Sequence, residues 1–537
     1  MSDLESILLV LGAREVNREL QVEIGPISSS LIPLSNQAVI EHHSLERSGF
    51  DNLYFYIDKH DLKALEICRL RKLNVIIGDG NLEINHAVFD AISGIQDIYN
   101  QKECSITLCY ADTIYEKAEL FETSNANVIG IGVAPDANSW MTVKLENQEI
   151  TFQGEEDSSS VVIGLFKFSS MTFLRECLNQ TDDFWSALSE YHLLEPFTLN
   201  TFKSWLDLGR LDTIFQSRRH FLKSRAFNDI NTTEDNQIVI KSSSFAMKKK
   251  IQDEINWYKT LNSAQKSLVP NLFDYNINQA CYSLEYKSLF TSAEVFMFGD
   301  LPKGYWQRFF KGLTRFVEIM HIEETNLDTK HIEKCENQMY LTKFEMRAEI
   351  VRKANPNLFE TEFVFNGKKL PSLNDFWQDF NVFFSKQVKP GKHAFIHGDL
   401  FLGNLFYDRR AGAVSAIDPR GNFGLCETTG DTRYDYAKLS HSILGKYDSL
   451  ASDLFNFRRH SSKIVEIEVL SSLQNQFMIE SLFTEWLIDR ECDYKTIRTI
   501  EALIFLSLPT LHSESIERQH ALIANGIQIA QECMDLT

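Results

Sequence analysis

A short segment near residue 400 holds the residue types that phosphate chemistry needs. The run AFIHGDLFLGNLFYD places Asp399 two residues after His397 and Asn404 five residues after Asp399, between two apolar stretches. Phosphoryl transfer to a hydroxyl needs a carboxylate that orients the attacking oxygen, oxygen ligands for a metal ion, and a cation on the nucleotide phosphates. The spacing predicts a catalytic loop between two short strands, with Asp399 facing the acceptor hydroxyl and Asn404 reaching a metal ion.

The other partners of this chemistry can be placed on both sides of the loop. Downstream, AVSAIDPRG ends an apolar strand in Asp418, fourteen residues beyond Asn404, a position suited to a second metal contact. Upstream, IVIKSSSFAMKKKIQDEINWYKTL supplies Lys241 at a strand end and Glu254 in an amphipathic helix thirteen residues later. Lys241 would hold the α- and β-phosphates, and Glu254 would orient it. No glycine-rich loop precedes Lys241, so residues 225–237 would have to cover the phosphates.

These motifs, in this order, resemble the aminoglycoside phosphotransferase and choline kinase superfamily. There HGDLxxxN, followed by a strand and IDPRG, takes the place of the HRD and DFG motifs of protein kinases. The resemblance implies an α+β protein-kinase-like fold with ATP as phosphoryl donor. It implies Asp399 as the base and Asn404 and Asp418 as ligands of Mg²⁺. It also implies that His397 supports the loop.

The same resemblance extends to two flanking segments. In CYSLEYKSL it implies a hinge strand near Tyr286 that meets the adenine edge, and in GDTRYDYAKLSHS it implies that Asp435 braces the fold. The acceptor would be a sugar or an amino alcohol such as choline. The acidic pair Glu323 and Glu324 and the single Glu427 could each meet a cation or be merely solvated. A pseudokinase scaffold is the alternative to an active kinase.

The N-terminal part of the chain has the pattern of an α/β domain. Short apolar runs recur between helical or turn-like segments: ILLVL, NLYFYI, LNVIIG, SITLCYA, NVIGIGV and VVIGLFKF. Near-continuous apolar runs of this kind are typical of strands that are buried on both faces. Asp112 follows the run SITLCYA, and Asp207 lies in SWLDLGRLDTIF. Two carboxylates from separate strands are what a Mg²⁺ ion that bridges phosphates requires.

This part resembles, more distantly, the sugar-phosphate nucleotidyltransferases, which have a Rossmann-like, GT-A-like fold. The resemblance implies Asp112 and Asp207 as metal ligands and CTP, UTP or GTP as the nucleotide. The segment 11–18 departs from the family's GxGxR loop, because it has a single glycine and an acid inside it. Ser28-Ser29-Ser30 stands where the family has a lysine, and Arg14 or Arg18 could replace the missing charge.

Two interpretations of this departure remain open. Each charge-assisted phosphate contact is worth about 1.5 to 3 kcal/mol, so the loss of loop flexibility and of a cation should weaken triphosphate binding. The domain is therefore either a divergent active transferase or a degenerate one that binds or scaffolds. Asp207 is either a metal ligand or a packing residue at the start of a helix.

Length and charge limit the remaining possibilities. A chain of 537 residues exceeds the roughly 250 to 300 residues that one core can serve. We expect a nucleotidyltransferase-like domain over 1–223, a linker over 224–237 and a kinase-like domain over 238–537, with its N-lobe ending at about 290. A formal charge of −20 argues against a nucleic-acid polymer or an anionic membrane as partner. The expected partners are a small-molecule substrate and nucleotides, and the oligomeric state stays open.

Two further expectations concern location and cysteines. No stretch approaches the ~20 apolar residues of a membrane span, so we expect a cytoplasmic protein without membrane insertion. The nine cysteines are scattered and form no CxxC pair, which predicts free thiols with neither a disulfide framework nor a zinc site. A kinase joined to a nucleotidyltransferase would make an NDP- or CDP-activated precursor, and both resemblances point to capsule or lipopolysaccharide biosynthesis.

Overall fold

The computed structural model describes most of the chain in two compact units. It describes residues 4–45, 49–116, 120, 127–134, 140–146, 149–154, 160–221, 229–232, 238–243, 248–322, 328–470 and 474–536. The first unit comprises residues 1–221 with 298–300, and the second comprises residues 222–297 with 301–537. None of the helices in the described ranges combines the length and apolar character needed to span a lipid bilayer.

The first unit is an α/β structure on a mixed nine-stranded sheet. The strands are β1 (Ser6–Leu11), β4 (Asn52–Asp58), β5 (Asn74–Gly78), β6 (Ser105–Tyr110), β8 (Val128–Val133), β9 (Met141–Glu146), β10 (Glu149–Gly154), β11 (Ser160–Phe168) and β12 (Thr198–Thr201). Their order is β10-β9-β11-β6-β1-β4-β5, with β8 on β11 and β12 on β8. Strands β6, β1, β4 and β5 are parallel, and β11 runs antiparallel to β6. Two short pairs join β2 (Pro33–Leu34) to β3 (Gln37–Ala38) and β7 (Thr113–Ile114) to β13 (Leu206–Asp207).

The buried strands explain why this sheet forms. Residues 7–10 of β1 are completely buried or nearly so, as expected for a central parallel strand covered on both faces. Each of the six apolar runs predicted as strands contains one, namely β1, β4, β5, β6, β8 and β11. The helices of this unit are α1 (Arg18–Ile24), α2 (Val39–Leu45), α3 (Leu62–Arg71), α4 (Ile84–Ile98), α5 (Met171–Gln180), α6 (Phe184–Leu194) and α7 (Leu211–Arg219). The first unit therefore confirms the expected α/β class.

The second unit begins with an antiparallel four-stranded sheet. Its strands are β14 (Asp229–Thr232), β15 (Ile238–Ser242), β16 (Leu272–Asn276) and β17 (Cys281–Glu285), in the order β14-β15-β17-β16. Helix α8 (Lys248–Thr260) follows β15 and buries Ile251, Ile255 and Trp257. Of the predicted linker 224–237, only 229–232 is described, and these residues form β14.

The rest of the chain is mainly helical, as its aromatic-rich amphipathic stretches predict. The helices are α9 (Ser263–Lys266), α10 (Ser292–Phe298), α11 (Lys303–Met320), α12 (Thr329–Asn337), α13 (Lys343–Ala354), α14 (Pro356–Glu360), α15 (Leu373–Gln387), α16 (Thr432–Ile443), α17 (Tyr447–Ala451), α18 (Gln474–Ile488), α19 (Tyr494–Leu506) and α20 (Ile516–Asp535). Two antiparallel pairs join β20 (His393–Phe395) to β23 (Thr429–Asp431) and β21 (Leu405–Asp408) to β22 (Ala413–Ala416). A further sheet contains β18 (Glu362–Phe365), β19 (Lys368–Leu370), β24 (Phe455–Arg459) and β25 (Ile464–Val469).

One prediction about the cysteines is wrong. Cys335 on α12 and Cys426 form a disulfide across 91 residues of chain, with their Cα atoms 6.1 Å apart. The Nε2 atom of His331 lies 3.5 Å from the sulfur of Cys335 and 3.6 Å from that of Cys426. The sequence gives no sign of this pair, because sequence spacing does not record which distant thiols the fold brings together. The other seven cysteines are free, as predicted.

Candidate functional site

Lys241 is the centre of a buried ionic group in the second unit. Its Nζ atom lies 2.8 Å from Glu254 Oε2 and 3.0 Å from Asp418 Oδ1. Lys241 is 4% exposed and Glu254 is 1% exposed. The hydroxyl of Tyr282 on β17 donates to the same Glu254 oxygen at 2.6 Å. The structure therefore brings together three of the predicted site residues from β15, α8 and the segment after β22.

The electrostatics of this group favour a charged lysine. Burial alone would lower the pKa of Lys241, but the carboxylates of Asp418 and Glu254 outweigh it and raise that pKa above its ordinary value. A second cation, Lys250, lies one helical turn before Glu254, with its Nζ atom 3.8 Å from Glu254 Oε1. Burial lowers the pKa of Lys250, and the nearby charge of Glu254 opposes this. Lys250 was not among the site residues predicted from the sequence.

The loop that contains Asp399 is held against the segment that contains Asp418 by main-chain hydrogen bonds. The N–H of Ile417 donates to the carbonyl of Asn404 at 3.0 Å, and the N–H of Arg420 donates to the carbonyl of His397 at 2.9 Å. The loop lies between β20 and β21, as predicted. These two bonds hold the loop that contains Asp399 and Asn404 beside the segment that contains Asp418.

Asn404 and Asp418, the two predicted metal ligands, each have a distinctive local geometry. The amide nitrogen of Asn404 donates to the carbonyl of Asp399 at 3.0 Å, which leaves the amide oxygen as the atom that could bind a metal ion. Asp418 has φ +58°, in the left-handed region that few residues other than glycine adopt. Such a conformation is typical of functional positions, although Asp tolerates it better than most residues.

Asp399 is partly exposed and has an ion-pair partner, Lys438, that was not predicted from the sequence. Its side chain is 33% exposed, and its Oδ1 atom lies 2.8 Å from Nζ of Lys438, whose side chain is only 8% exposed. Burial would raise the pKa of Asp399, but Lys438 and then Arg420 hold it well below its ordinary value. Asp399 is therefore a carboxylate throughout the physiological pH range. Lys438 occupies α16 one turn after Tyr434, and a lysine inside an otherwise buried helix face was the available signal.

Asp435 organises the backbone at the start of the loop. It is completely buried, and its two oxygens accept the N–H groups of His397 at 2.9 Å and Gly398 at 2.7 Å. The Nε2 atom of His321 lies 3.0 Å from Asp435 Oδ2. His397 in turn accepts the N–H of Asp399 on Nδ1 at 3.3 Å.

The other positions predicted for this domain lie outside this group or outside the described residues. Tyr286 is partly buried directly after β17. Glu427 is exposed. Glu323 and Glu324 lie outside the described residues, as does most of the segment 225–237 expected to cover the phosphates.

The first unit brings Asp112 and Asp207 close together. The antiparallel pair β7 and β13 places Asp207 opposite Thr113, and the N–H of Leu208 donates to the carbonyl of Asp112 at 2.8 Å. A Cβ atom at Gly209 would lie 2.3 Å from Asp112 Oδ2, so a larger residue there would displace the Asp112 carboxylate. Burial and then the charge of Asp112 raise the pKa of Asp207 to about 7. Burial also raises the pKa of Asp112, which the charge of Arg14 opposes.

The loop that departs from the nucleotidyltransferase pattern is closed on itself. The hydroxyl of Ser30 donates to the carbonyl of Gly12 at 2.9 Å, and the N–H of Ser29 donates to the carbonyl of Arg14 at 2.8 Å. A Cβ atom at Gly12 would lie 1.9 Å from Ser30 Oγ. Both candidate cations are exposed. Arg14 lies near Asp112, and Arg18 is the first residue of α1.

Comparison with known proteins adds limited information. No protein-family model matches the chain, and no curated protein matches it. The chain is similar to the inositol-1-phosphate CTP transferase from T. maritima, with 13% identity over 39% of this chain and 90% of that one, at a TM-score of 0.32. It is also similar to a nucleoside-diphosphate-sugar pyrophosphorylase from Vibrio cholerae RC9, with 11% identity over 40% of this chain and 99% of that one, at a TM-score of 0.33. Likeness at this level does not establish an activity.

Proposed function

We propose that residues 238–537 form a kinase-like domain that transfers the γ-phosphoryl group of ATP to a hydroxyl of a small molecule, a sugar or an amino alcohol. The observation that carries this proposal is the buried Lys241, whose Nζ atom contacts both Glu254 and, 177 residues away, Asp418. A phosphotransfer site needs a nucleotide cation, its orienting acid and a metal carboxylate within reach of one another.

The ATP phosphates would be held by cations of the β15–α8 region. Lys241 would bind the α- and β-phosphates, and Glu254 would keep its ammonium group in place. Lys250 adds a cation one turn along α8, 3.8 Å from the same acid. Tyr286 would lie at the hinge strand beside the adenine.

Asn404 and Asp418 suit magnesium. An amide oxygen and a carboxylate that is 32% exposed are hard oxygen donors, the kind that Mg²⁺ prefers while keeping several waters. When bound, the ion would neutralise phosphate charge. The main-chain bonds between the two segments would hold both ligands on one side of Asp399.

Asp399 would orient the acceptor hydroxyl rather than ionise it beforehand. Lys438 and Arg420 hold its pKa low, so it is a weak base toward a free alcohol. The acceptor oxygen forms a bond to the γ-phosphorus while the bond to the ADP oxygen breaks. The hydroxyl proton passes to Asp399 as the new bond forms, which is the role of the loop aspartate in kinases.

The proposal is tested by ADP release from ATP and Mg²⁺ with a panel of hexoses, heptoses, aminosugars, amino alcohols, glycerol, sugar phosphates and hydroxy acids. We expect at least one acceptor to support turnover and Asp399→Asn to lower kcat about 100- to 10,000-fold. Asp379→Asn, an exposed change on α15, is the matched control and should behave like the parent chain. No ADP with any acceptor, or equal rates for Asp399→Asn and the control, would favour the pseudokinase scaffold.

A second candidate function belongs to the first unit. The close approach of Asp112 and Asp207 favours metal-dependent nucleotidyl transfer from CTP, UTP or GTP to the phosphorylated product, with Arg14 or Arg18 on the triphosphate. The two steps together would yield an NDP- or CDP-activated precursor for a surface polysaccharide. The alternative is a degenerate domain that binds a nucleotide sugar or scaffolds, and the closed Gly12 loop favours it.

Pyrophosphate release separates these alternatives. An active transferase should release pyrophosphate when given a nucleoside triphosphate and a phosphorylated acceptor, and Asp112→Ala should abolish the release. Asp182→Ala, an exposed position before α6, is the control. Absence of pyrophosphate from every combination would leave binding or scaffolding as the role of this unit.

A further inference from the structure

A group of basic side chains lies around Asp399, and we call it the basic cluster. Its members are Lys343, Arg347, Arg420 and Lys438. Lys343 and Arg347 are four residues apart on α13, so the two cations share one face of that helix. Lys438 lies on α16, four residues after Tyr434 and on the same helix face as that tyrosine. Arg420 comes two residues after Asp418.

Neutral groups contact two of these four cations. Lys343 Nζ donates to the hydroxyl of Tyr434 at 3.4 Å and lies 5.7 Å above the Tyr434 ring. Arg347 Nη1 donates to the carbonyl of Ser507 at 3.1 Å. Buried Arg420 Nε has no hydrogen-bond partner among the described residues. These contacts orient the cations without neutralising them.

Carboxylates do not balance the cluster. Within the described ranges, its one ion pair joins Lys438 to Asp399, and the structure records none for the other three members. The acid Glu349 of α13 pairs instead with Arg352 and Lys353, near the end of that helix. A half-buried group with this excess of positive charge is unfavourable unless an anion joins it.

The cations of the cluster lower one another's pKa values. Burial, followed by the charges of Arg420 and Arg347, holds the pKa of Lys343 well below its ordinary value. Burial, followed by the charge of Arg420, lowers the pKa of Arg347 to about 10. In both cases the carboxylate that acts in the opposite direction is Asp399.

The position of the cluster points to the acceptor rather than to ATP. Lys241, the proposed nucleotide cation, is occupied by Glu254 at 2.8 Å and Asp418 at 3.0 Å. Lys438 of the basic cluster instead lies 2.8 Å from Asp399, the residue proposed to face the acceptor hydroxyl, and Lys343 contacts Tyr434 one turn before Lys438. An amino alcohol such as choline would meet positive charge here, whereas cationic ligands need aromatic faces and acids.

We propose that the phosphoryl acceptor carries an anionic group, a phosphate or a carboxylate, next to its hydroxyl, and that the basic cluster binds this group. The proposal rests on the proposed kinase function. It narrows the acceptor to compounds such as sugar phosphates or hydroxy acids and excludes amino alcohols. The anion would bring charge-assisted hydrogen bonds to Arg347 and Arg420, whose planar forks suit both phosphate and carboxylate.

Matched acceptors test the proposal. ADP release would be compared for glycerol, glycerol 3-phosphate and glycerate, and for glucose, glucose 6-phosphate and gluconate, with choline and ethanolamine as cationic acceptors. We expect kcat/KM for an anionic member to exceed that of its neutral partner by about 10- to 100-fold for each strong contact. The phosphate and carboxylate arms identify the anionic group. A neutral or cationic acceptor that outperforms every anionic one would overturn the proposal while leaving the kinase function standing.

Substitution on α13 supplies the second test. Arg347→Gln and Lys343→Met should raise KM for the anionic acceptor about 10- to 100-fold with KM for ATP unchanged. Arg352→Gln, at the exposed end of α13, is the control. Lys343→Met should also raise the melting temperature, because it removes repulsion from the cluster. A change in KM for ATP alone would show that the cluster serves the nucleotide and would refute the proposal.

Binding of inorganic phosphate, measured by calorimetry on the full chain, needs no turnover. We expect the parent chain and Lys241→Met to bind phosphate and Arg347→Gln to lose about tenfold or more in affinity. This pattern without ADP from any acceptor would keep the anion site and reject the kinase function. Phosphate affinity that depends on Lys241 and not on Arg347 would reject the anion site.

Discussion

Replacement of Glu254 by Gln should loosen the region around Lys241. Glu254 Oε2 accepts hydrogen bonds from Lys241 at 2.8 Å and from Tyr282 at 2.6 Å, in a place where the acid is 1% exposed. Glutamine keeps the shape and one acceptor but removes the charge. Lys241 is then left with Asp418 alone, 3.0 Å away.

The expected size of the effect follows from these distances. At an effective dielectric constant of about 20, a 2.8 Å ion pair has a gross attraction of about 6 kcal/mol, most of which compensates for desolvation of the two charges. Loss of one partner of a buried pair costs about 3 to 5 kcal/mol when the remaining charge has no other partner. Because Asp418 remains, we expect about 2 to 4 kcal/mol.

Hydrogen exchange can measure this change in the full chain. The amides of α8 should exchange about 30- to 700-fold faster in Glu254→Gln, since each 1.4 kcal/mol is about a factor of ten. Glu360→Gln, an exposed change on α14, should leave α8 unaffected. A change below about fivefold in α8 would refute the claim that this ion pair holds Lys241 in place. The double variant Lys241→Met with Glu254→Gln would then isolate the pairwise energy.

Three further predictions concern stability in the second unit. Burial raises the pKa of Asp448 from 3.8 to about 6, so the folded protein loses stability as the pH rises between these two values. Asp448→Asn, which removes the charge, should therefore stabilise the protein by about 3 kcal/mol at pH 8 and by about half of that at pH 5. Reduction of the Cys335–Cys426 disulfide should lower stability by about 4.6 kcal/mol, because it opens a loop of 91 residues. Asp435→Asn should lower stability by about 1 to 3 kcal/mol and lower kcat. The amide nitrogen that replaces one carboxylate oxygen cannot accept a hydrogen bond, so either the N–H of His397 or that of Gly398 loses its acceptor.

Each of these has a measurement and an outcome that contradicts it. Thermal unfolding at several pH values tests Asp448→Asn, and a gain that does not grow with pH would contradict the burial argument. Unfolding with and without reductant tests the disulfide, and the Cys335→Ser variant should not respond to reductant. For Asp435→Asn, unchanged kcat would mean that the loop keeps its shape without the buried acceptor.

Much of the architecture was predictable because local patterns encode it. The apolar runs of the first unit predict buried strands, and hydrophobic periodicity predicts α8, α11 and α15. The expectation that Lys241, Glu254 and Asp418 lie together came from the order of the motifs and their resemblance to a known superfamily. The amino-acid pattern itself carries no distance between residues 241 and 418.

What escaped prediction depends on contacts between segments that are distant in sequence. Lys438 contacts Asp399 only because α16 packs behind the loop, and Lys343 approaches the same carboxylate from α13. Residues 229–232 lie in the polar segment interpreted as a linker, and they pair with β15, which satisfies their main-chain groups. Cys335 and Cys426 were missed for the same reason as Lys438.

The main-chain bonds between Asn404 and Ile417 and between His397 and Arg420 have an evolutionary consequence. They hold the loop without help from α13, where Lys343 and Arg347 lie. On the proposed function, exchanges at those two helix positions would change the acceptor while the proposed phosphate-handling groups keep their positions. The Asp399 loop and α13 would then vary independently in evolution, and such a protein could diversify by substitutions on a single helix face.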